Sequence, residues 1–197
     1  MRCHPNQPEA QDFVVMSRQL ILPGFHPWMS APDTWDNSLD PYPDVGRDVL
    51  CERAREIGHA GELLVLSKLI RTGHTAVHLP DHHPFDLLLL RNDRNLRIQI
   101  KTTTRTHSSG AYRFTMAKGY RNNPMGTRPY AKSDYDLAAL VILPEDCVLF
   151  TAERRDWHSV PVSMINQLRA FPSHSLLEAL TDLGLAPSGA RLSAAGS

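Results

Sequence analysis

"FDLLLLRNDRNLRIQIKTTTR", residues 85–105, is the stretch whose reading decides the fold. Two strand-length apolar runs, 86–90 and 96–101, flank the polar segment RNDRN. That arrangement predicts an antiparallel hairpin. The second run alternates: Ile98 and Ile100 point one way, Arg97, Gln99 and Lys101 the other. The first run, four leucines behind a single acid at Asp86, reads as buried on both faces. A polar face carrying Gln99 and Lys101 beside an acid in the core sheet asks for a reason.

Register governs the answer, because a one-residue slip moves every side chain to the other face. A turn centred just before Asp93 pairs Asp86 with Gln99, and one centred just after pairs Asp86 with Lys101. Either places Asp86, Gln99 and Lys101 on one face, with residues two apart on a strand lying about 7 Å from each other. A turn centred on Asp93 itself pairs Asp86 with Ile100 and breaks the group. All three registers are open to the sequence.

Outward from the hairpin, residues 47–71 carry a helical pattern closed by Thr72-Gly73. Gly58 and Gly61 weaken its middle, so two helices meeting near His59 are expected. Its second half, ELLVLSKLI, is apolar almost all round and is expected to be buried. HTAVHL (74–79) reads as a strand before the hairpin, and YDLAALVIL (135–143) and CVLFTA (147–152) as strands after it. Residues 102–133 read as a long, polar, turn-rich functional loop with a short strand at 112–116. Short helices are expected at 162–168 and 176–183. The element order gives a mixed α/β domain. An N-terminal arm (1–45), rich in Pro, Asp and His and anchored through Phe25, Trp28 and Trp35, precedes a core at 46–160. C-terminal helices and a mobile tail follow at 161–197.

The chain has 197 residues, 42% of them apolar and 21% charged, enough for one domain with a core. Its three cysteines are odd in number and far apart, which suits a reducing compartment. No secretory signal and no apolar stretch of about 18 residues is evident, so a soluble, cytoplasmic protein without a membrane partner is expected. Net charge is zero, but its distribution is uneven. Ten Lys/Arg face one acid, Asp93, between Arg91 and Lys132, whereas residues 1–48 hold seven acids against three arginines. Such asymmetry points to a basic working surface or to a solvated basic loop.

A carboxylate and a side-chain carbonyl oxygen are hard ligands suited to Mg²⁺. An ammonium beside that ion can orient a water or stabilise charge developing on a phosphate. The plain alternative is a Lys101–Asp86 salt bridge closing a sheet end. The histidines add little: Pro80 and Pro84 break any helical metal face among His78, His82 and His83, which read as structural or solvated. His59, at the expected helix break, is expected to reach the neighbourhood of the group. Asp134 and Asp136 in DYD read as turn chemistry.

Glu62 in GHAGELLVLSKLIRTG, Asp86 in HPFDLLLL and Gln99-Ile100-Lys101 in RIQIKTTTR together resemble the PD-(D/E)xK nuclease superfamily. Its signature is a helical Glu, an Asp at a strand start and (D/E)-x-K on the next strand. The resemblance covers about residues 55–105 well and the strands at 135–152 loosely. Gln99 departs from the usual acid, as in the Q-x-K variant known among homing-endonuclease-like members; Holliday-junction resolvases belong to the same superfamily. The resemblance implies a restriction-endonuclease-like core, a mixed central sheet flanked by helices. It implies a Mg²⁺-dependent DNA endonuclease, with Mn²⁺ able to substitute. Asp86, Gln99, the Ile100 carbonyl and Glu62 are then the metal ligands, and Lys101 positions or activates water. Thr102, Thr103, Arg105, Arg113, Lys118, Arg121, Arg128 and Lys132 are the residues expected on nucleic acid, with Tyr112, Phe114, Tyr120 and Tyr130 available to stack. Two copies acting on two strands would form a homodimer. The alternative is an inactive binding module with the same sheet, which the uncharged Gln99 and the neutral net charge favour.

Overall fold

RNDRN does turn the chain back on itself. In the computed structural model, which describes residue 39, residues 41–119 and residues 126–185, strand β2 (Leu87–Leu90) pairs antiparallel with β3 (Leu96–Thr103). Leu87 stands opposite Ile98 and Leu89 opposite Leu96. Continued by one residue, this register sets Asp86 against Gln99, the turn centring just before Asp93. Arg91 holds the turn, its amide donating to Asn95 Oδ1 and its guanidinium to both oxygens of Asp93. The arm around Phe25, Trp28 and Trp35, together with Tyr120, Arg121 and the tail at 186–197, lies outside the described residues. Every element below belongs to one compact unit that begins at residue 38.

The hairpin sits in a five-stranded sheet with strand order β1-β2-β3-β7-β8. Strand β1 (Thr75–His78) and strand β8 (Cys147–Thr151) form its two edges, and β7 (Leu137–Ile142) runs parallel to β3. Every residue of β7 is buried, so this strand has the two covered faces expected of the leucine run. In β2 only Leu87 and Leu89 are fully buried, Leu88 is intermediate and Leu90 is exposed. The leucine run therefore alternates, because only one side of β2 has a helix over it.

That helix is α2 (Ala54–Arg71), preceded by the short α1 (Arg47–Glu52). The break falls at Arg53, not near His59: its backbone leaves helical geometry while its amide still reaches the Val49 carbonyl. Neither glycine interrupts α2. Gly61 lies where helix and sheet come closest, and a Cβ there would stand 2.0 Å from Thr102 Oγ1. Glycine is what allows this approach, and it brings the next residue, Glu62, down onto the end of β3. The ELLVLSKLI half is buried along one stripe only. Val65 and Leu69 enter the core, while Leu63 is 49% and Ile70 59% exposed.

The core has two layers, one on each side of the sheet. Val65 and Leu69 pack with Leu87, Leu89, Ile98 and Ile100, and helix α4 (His174–Asp182) adds Leu176, Ala179 and Leu180. On the opposite side Ala138, Leu140 and Ile142 of β7 meet Tyr112 and Phe114 of β4 (Ala111–Thr115) and Val160 of β9 (Trp157–Pro161). Ile165 and Leu168 of α3 (Ile165–Ala170) complete that layer. Residues 102–133 are thus not one long loop. They hold the end of β3, all of β4, and a two-stranded ribbon of β5 (Ala117–Lys118) and β6 (Arg128–Pro129). Strand β9, unread in the sequence, exists by pairing antiparallel with β4. No described helix is long and apolar enough to cross a membrane.

Candidate active site

Asp86 is placed by the strand pairing around it. Its amide donates to the Ile98 carbonyl at 3.0 Å, and its carbonyl accepts from Leu79 at 2.9 Å. The side chain then lies along β3, where Oδ2 accepts from the Ile100 amide and from Gln99 Nε2, each at 2.6 Å. Gln99 Nε2 also donates to the Ile100 carbonyl at 3.1 Å. One amide nitrogen therefore sits between two oxygens, those of the Asp86 carboxylate and the Ile100 carbonyl.

Burial pushes the Asp86 carboxyl up to about 6; the Ile100 amide and the charges of Lys101 and His78 oppose the rise, and Glu62 adds to it. Glu62, Ile100 and Lys101 line one common cleft. Lys101 shares its face with Gln99, one strand repeat on. Burial lowers the proton affinity of its ammonium, against the pull of Asp86. Among the described residues no ion pair joins Lys101 to Asp86. Lys101 Nζ donates instead to the Ala117 carbonyl at 3.0 Å and lies 5.2 Å from the centre of the Tyr130 ring. Tyr130 in turn has its phenol raised, first by burial and then by the charge of Asp86.

Glu62 faces the group from α2, three-quarters covered, and is not alone. Its Oε2 meets His78 Nε2 at 2.8 Å and His59 Nδ1 at 3.2 Å. His59 is one helical turn before Glu62, while His78 ends β1 beside Leu87. The structural or solvated reading of His78 misses this contact, because only the packing of α2 on the sheet brings residue 78 to residue 62. Between α2 and the end of β3 opens a cleft of about 370 Å³, lined among others by Glu62, Lys101, Thr102, Thr103 and Thr104.

The residues expected on nucleic acid divide. Thr102 is packed against Gly61, whereas half-buried Thr103 borders the cleft. Arg105 donates to the Val45 carbonyl at 2.9 Å and Lys118 pairs with Asp134 at 2.7 Å. Arg113 stacks over Trp157, 5.7 Å from the ring centre. Arg128 is exposed on β6 and Lys132 follows it; among the described residues neither has an acidic partner. Arg121 lies outside the described residues. Part of the basic excess is answered by acids just past its end: Arg94 and Arg97 pair with Asp136 and Lys118 with Asp134. DYD is thus turn and strand-edge chemistry, as its sequence suggests. Tyr112 and Phe114 are in the core and cannot stack on bases; Tyr130, partly buried, is committed to Lys101 and Lys118.

A family model described as PD-(D/E)XK endonuclease matches residues 53–167, a span that includes Glu62, Asp86, Gln99 and Lys101. Among solved structures the chain is similar to a bacterial homing endonuclease, I-Ssp6803I. The identity is 15%, the match covers 54% of this chain and 76% of that one, and the TM-score is 0.47. No curated protein matches the chain.

Proposed function

We propose, starting from the fact that the chain belongs to the PD-(D/E)XK endonuclease family, that it cuts DNA at the Asp86 end of its sheet, using a divalent cation. The observation that carries this reading is Asp86 itself: a half-buried carboxylate, pushed up to about 6, met by a neutral amide where a cation would relieve it. The donor set fits such an ion. Asp86 Oδ2 and the Ile100 carbonyl converge on one point, and half a turn of the Gln99 carboxamide presents its own oxygen there. Hard oxygens of this kind suit Mg²⁺, with Mn²⁺ as a substitute. Asp86, Gln99 and the Ile100 carbonyl would hold the ion, with Glu62 facing it from α2. The bound ion supplies positive charge that polarises the scissile phosphate and favours attack by water.

The chain's own groups do the rest. Lys101 lines the cleft with an ammonium whose single described hydrogen bond goes to a backbone carbonyl. It can exchange that bond for one to an attacking water or a phosphate oxygen. Thr103, Arg113, Arg128 and Lys132 hold the backbone, so binding weakens steeply with salt. Cutting a duplex calls for two copies, one per strand. The unpaired Cys51 and Cys147 suit a cytoplasmic setting.

Incubation of the purified chain with supercoiled, linear and branched DNA, in Mg²⁺, Mn²⁺ or EDTA, tests this. Nicking or linearisation that EDTA stops is the expected result; no cleavage of any form in either metal would sink it. A second reading, a binding module without cleavage, is favoured by the closed hydrogen-bond ring of Gln99. It predicts a salt-sensitive DNA complex that never yields product.

A further inference from the structure

We infer that His59, Glu62 and His78 form a second metal site, one that takes a borderline transition ion such as Zn²⁺, beside the oxygen site at Asp86. Three potential ligand atoms, two imidazole nitrogens and one carboxylate oxygen, lie within 4.8 Å of one another. Two of the separations, 2.8 and 3.2 Å, approach the spacing of about 3.3 Å between neighbouring ligands on a tetrahedral Zn²⁺ with bonds of about 2.0 Å. The two rings stand edge to face, 5.4 Å between centres, so neither blocks the other's nitrogen.

Regular structure holds all three. His59 and Glu62 share one face of α2, a turn apart, and β1 delivers His78 in register with Leu87. A site built on helix and strand is largely preorganised. His59 is 56% exposed at its side chain, against 29% for His78 and 23% for Glu62. An ion has a way in and room for a water or substrate in its remaining position.

Ligand chemistry separates this site from its neighbour. Imidazole suits Zn²⁺, Co²⁺ and similar ions, whereas Mg²⁺ seeks hard oxygens. Without an ion, a ring N–H of each histidine can donate to Glu62 Oε2; to bind an ion, each neutral imidazole would carry its proton on the other ring nitrogen and offer the freed lone pair. The proposal rests on the nuclease reading only in sharing Glu62, and it stands whether or not the chain cuts DNA.

Titration of the tag-free full chain with Co²⁺ and with Zn²⁺, followed by calorimetry and by the Co²⁺ absorption spectrum, tests the site. One ion per chain is expected, retained in excess Mg²⁺. His59→Ala and His78→Ala should each weaken binding by at least about tenfold, with the fold checked by circular dichroism. Asp86→Ala should keep the ion, and so should His82→Ala with His83→Ala, since those two rings lie against each other and neither belongs to the ligand group. No binding by the wild type would overturn the proposal. So would unchanged binding in the His59 and His78 variants, or displacement of Co²⁺ by Mg²⁺ together with its loss in Asp86→Ala. A chain that binds Co²⁺ through these histidines yet cuts no DNA would instead refute the nuclease reading alone.

Discussion

Phe85-Asp86-Leu87 and Tyr135-Asp136-Leu137 are nearly the same phrase, placed at the entrances of the two strands that flank β3. Each acid donates its amide to a β3 carbonyl, Asp86 to Ile98 and Asp136 to Arg97. Each accepts a β3 amide on its carboxylate, from Ile100 and Arg97 respectively. Each is followed by a leucine with no exposed surface. There the likeness ends. Asp136 receives the guanidinium of Arg97 on both oxygens and that of Arg94 as well. Burial works against its charge, yet the Arg97 bonds hold its carboxyl below the usual range. Among the described side chains Asp86 receives only the neutral amide of Gln99, and burial pushes it up. One motif is completed within the fold; the other keeps an electrostatic demand that a cation could meet.

The sharpest break in the comparison comes from removing each acid. Asp86→Ala and Lys101→Ala should each reduce cleavage by about a thousandfold or more with the fold largely intact, read by product formation and circular dichroism. Asp136→Ala should do the reverse. It strands Arg97 and Arg94 and frees a β3 amide, so denaturant melts should show a loss of about 2–3 kcal/mol, the lower figure reflecting partial solvent screening. If Asp136→Ala abolished cleavage in a stably folded protein, the division between structural and functional acid would fail.

Acidity provides the next test, because the two carboxylates act on stability with opposite sign. Asp86 has a folded pKa of about 6, above its ordinary value near 4. The folded chain therefore binds more protons between those limits, and the contribution of Asp86 to stability falls as pH rises from about 4 to about 6. Asp86→Asn removes that slope. Its melts should show little change near pH 4 and a gain of about 1–2 kcal/mol above pH 7. The contribution of Asp136 is present at neutral pH and is lost as pH falls through its lowered value. An Asp86→Asn gain that was flat with pH would mean that the carboxyl is ordinary.

Much of this contrast is hidden in the sequence, and the reason is physical. Alternation in β3 revealed the shared face of Gln99 and Lys101, and the polar turn revealed the hairpin. Register stayed open because both outer alternatives keep Leu87, Leu89, Leu96 and Ile98 facing α2. What settles it is the local chemistry of Arg91, Asp93 and Asn95. Strand β9 carries Trp157, His158 and Pro161 with no clear period, and its form comes from β4, more than 40 residues away. The cluster at Glu62 is likewise non-local, since His78 arrives from a different element. Gly61 looked like a helix breaker, but its role is defined by Thr102. Local pattern announces elements; contacts between distant elements decide which side chains meet.

The smallest effect concerns the residue that separates the two acids, Gln99. Gln99→Glu keeps the reach of the side chain and replaces a donor to Asp86 with a second negative charge. Without metal the two carboxylates repel, Asp86 is pushed higher still, and the Ile100 carbonyl loses its partner. The variant should then melt lower than wild type in EDTA at neutral pH. A divalent ion relieves this, since one more charged oxygen faces it. Cleavage should therefore survive, with the Mg²⁺ needed for half-maximal rate lowered by about tenfold, or about 1.4 kcal/mol. The shift should be clearest at neutral pH and above, where both carboxylates are ionised. It should vanish as acidification protonates one of them. If neither wild type nor Gln99→Glu cuts any form of DNA while both still bind it, Gln99 has closed the Asp86 motif as fully as Arg97 closes that of Asp136. The chain would then be a binding module.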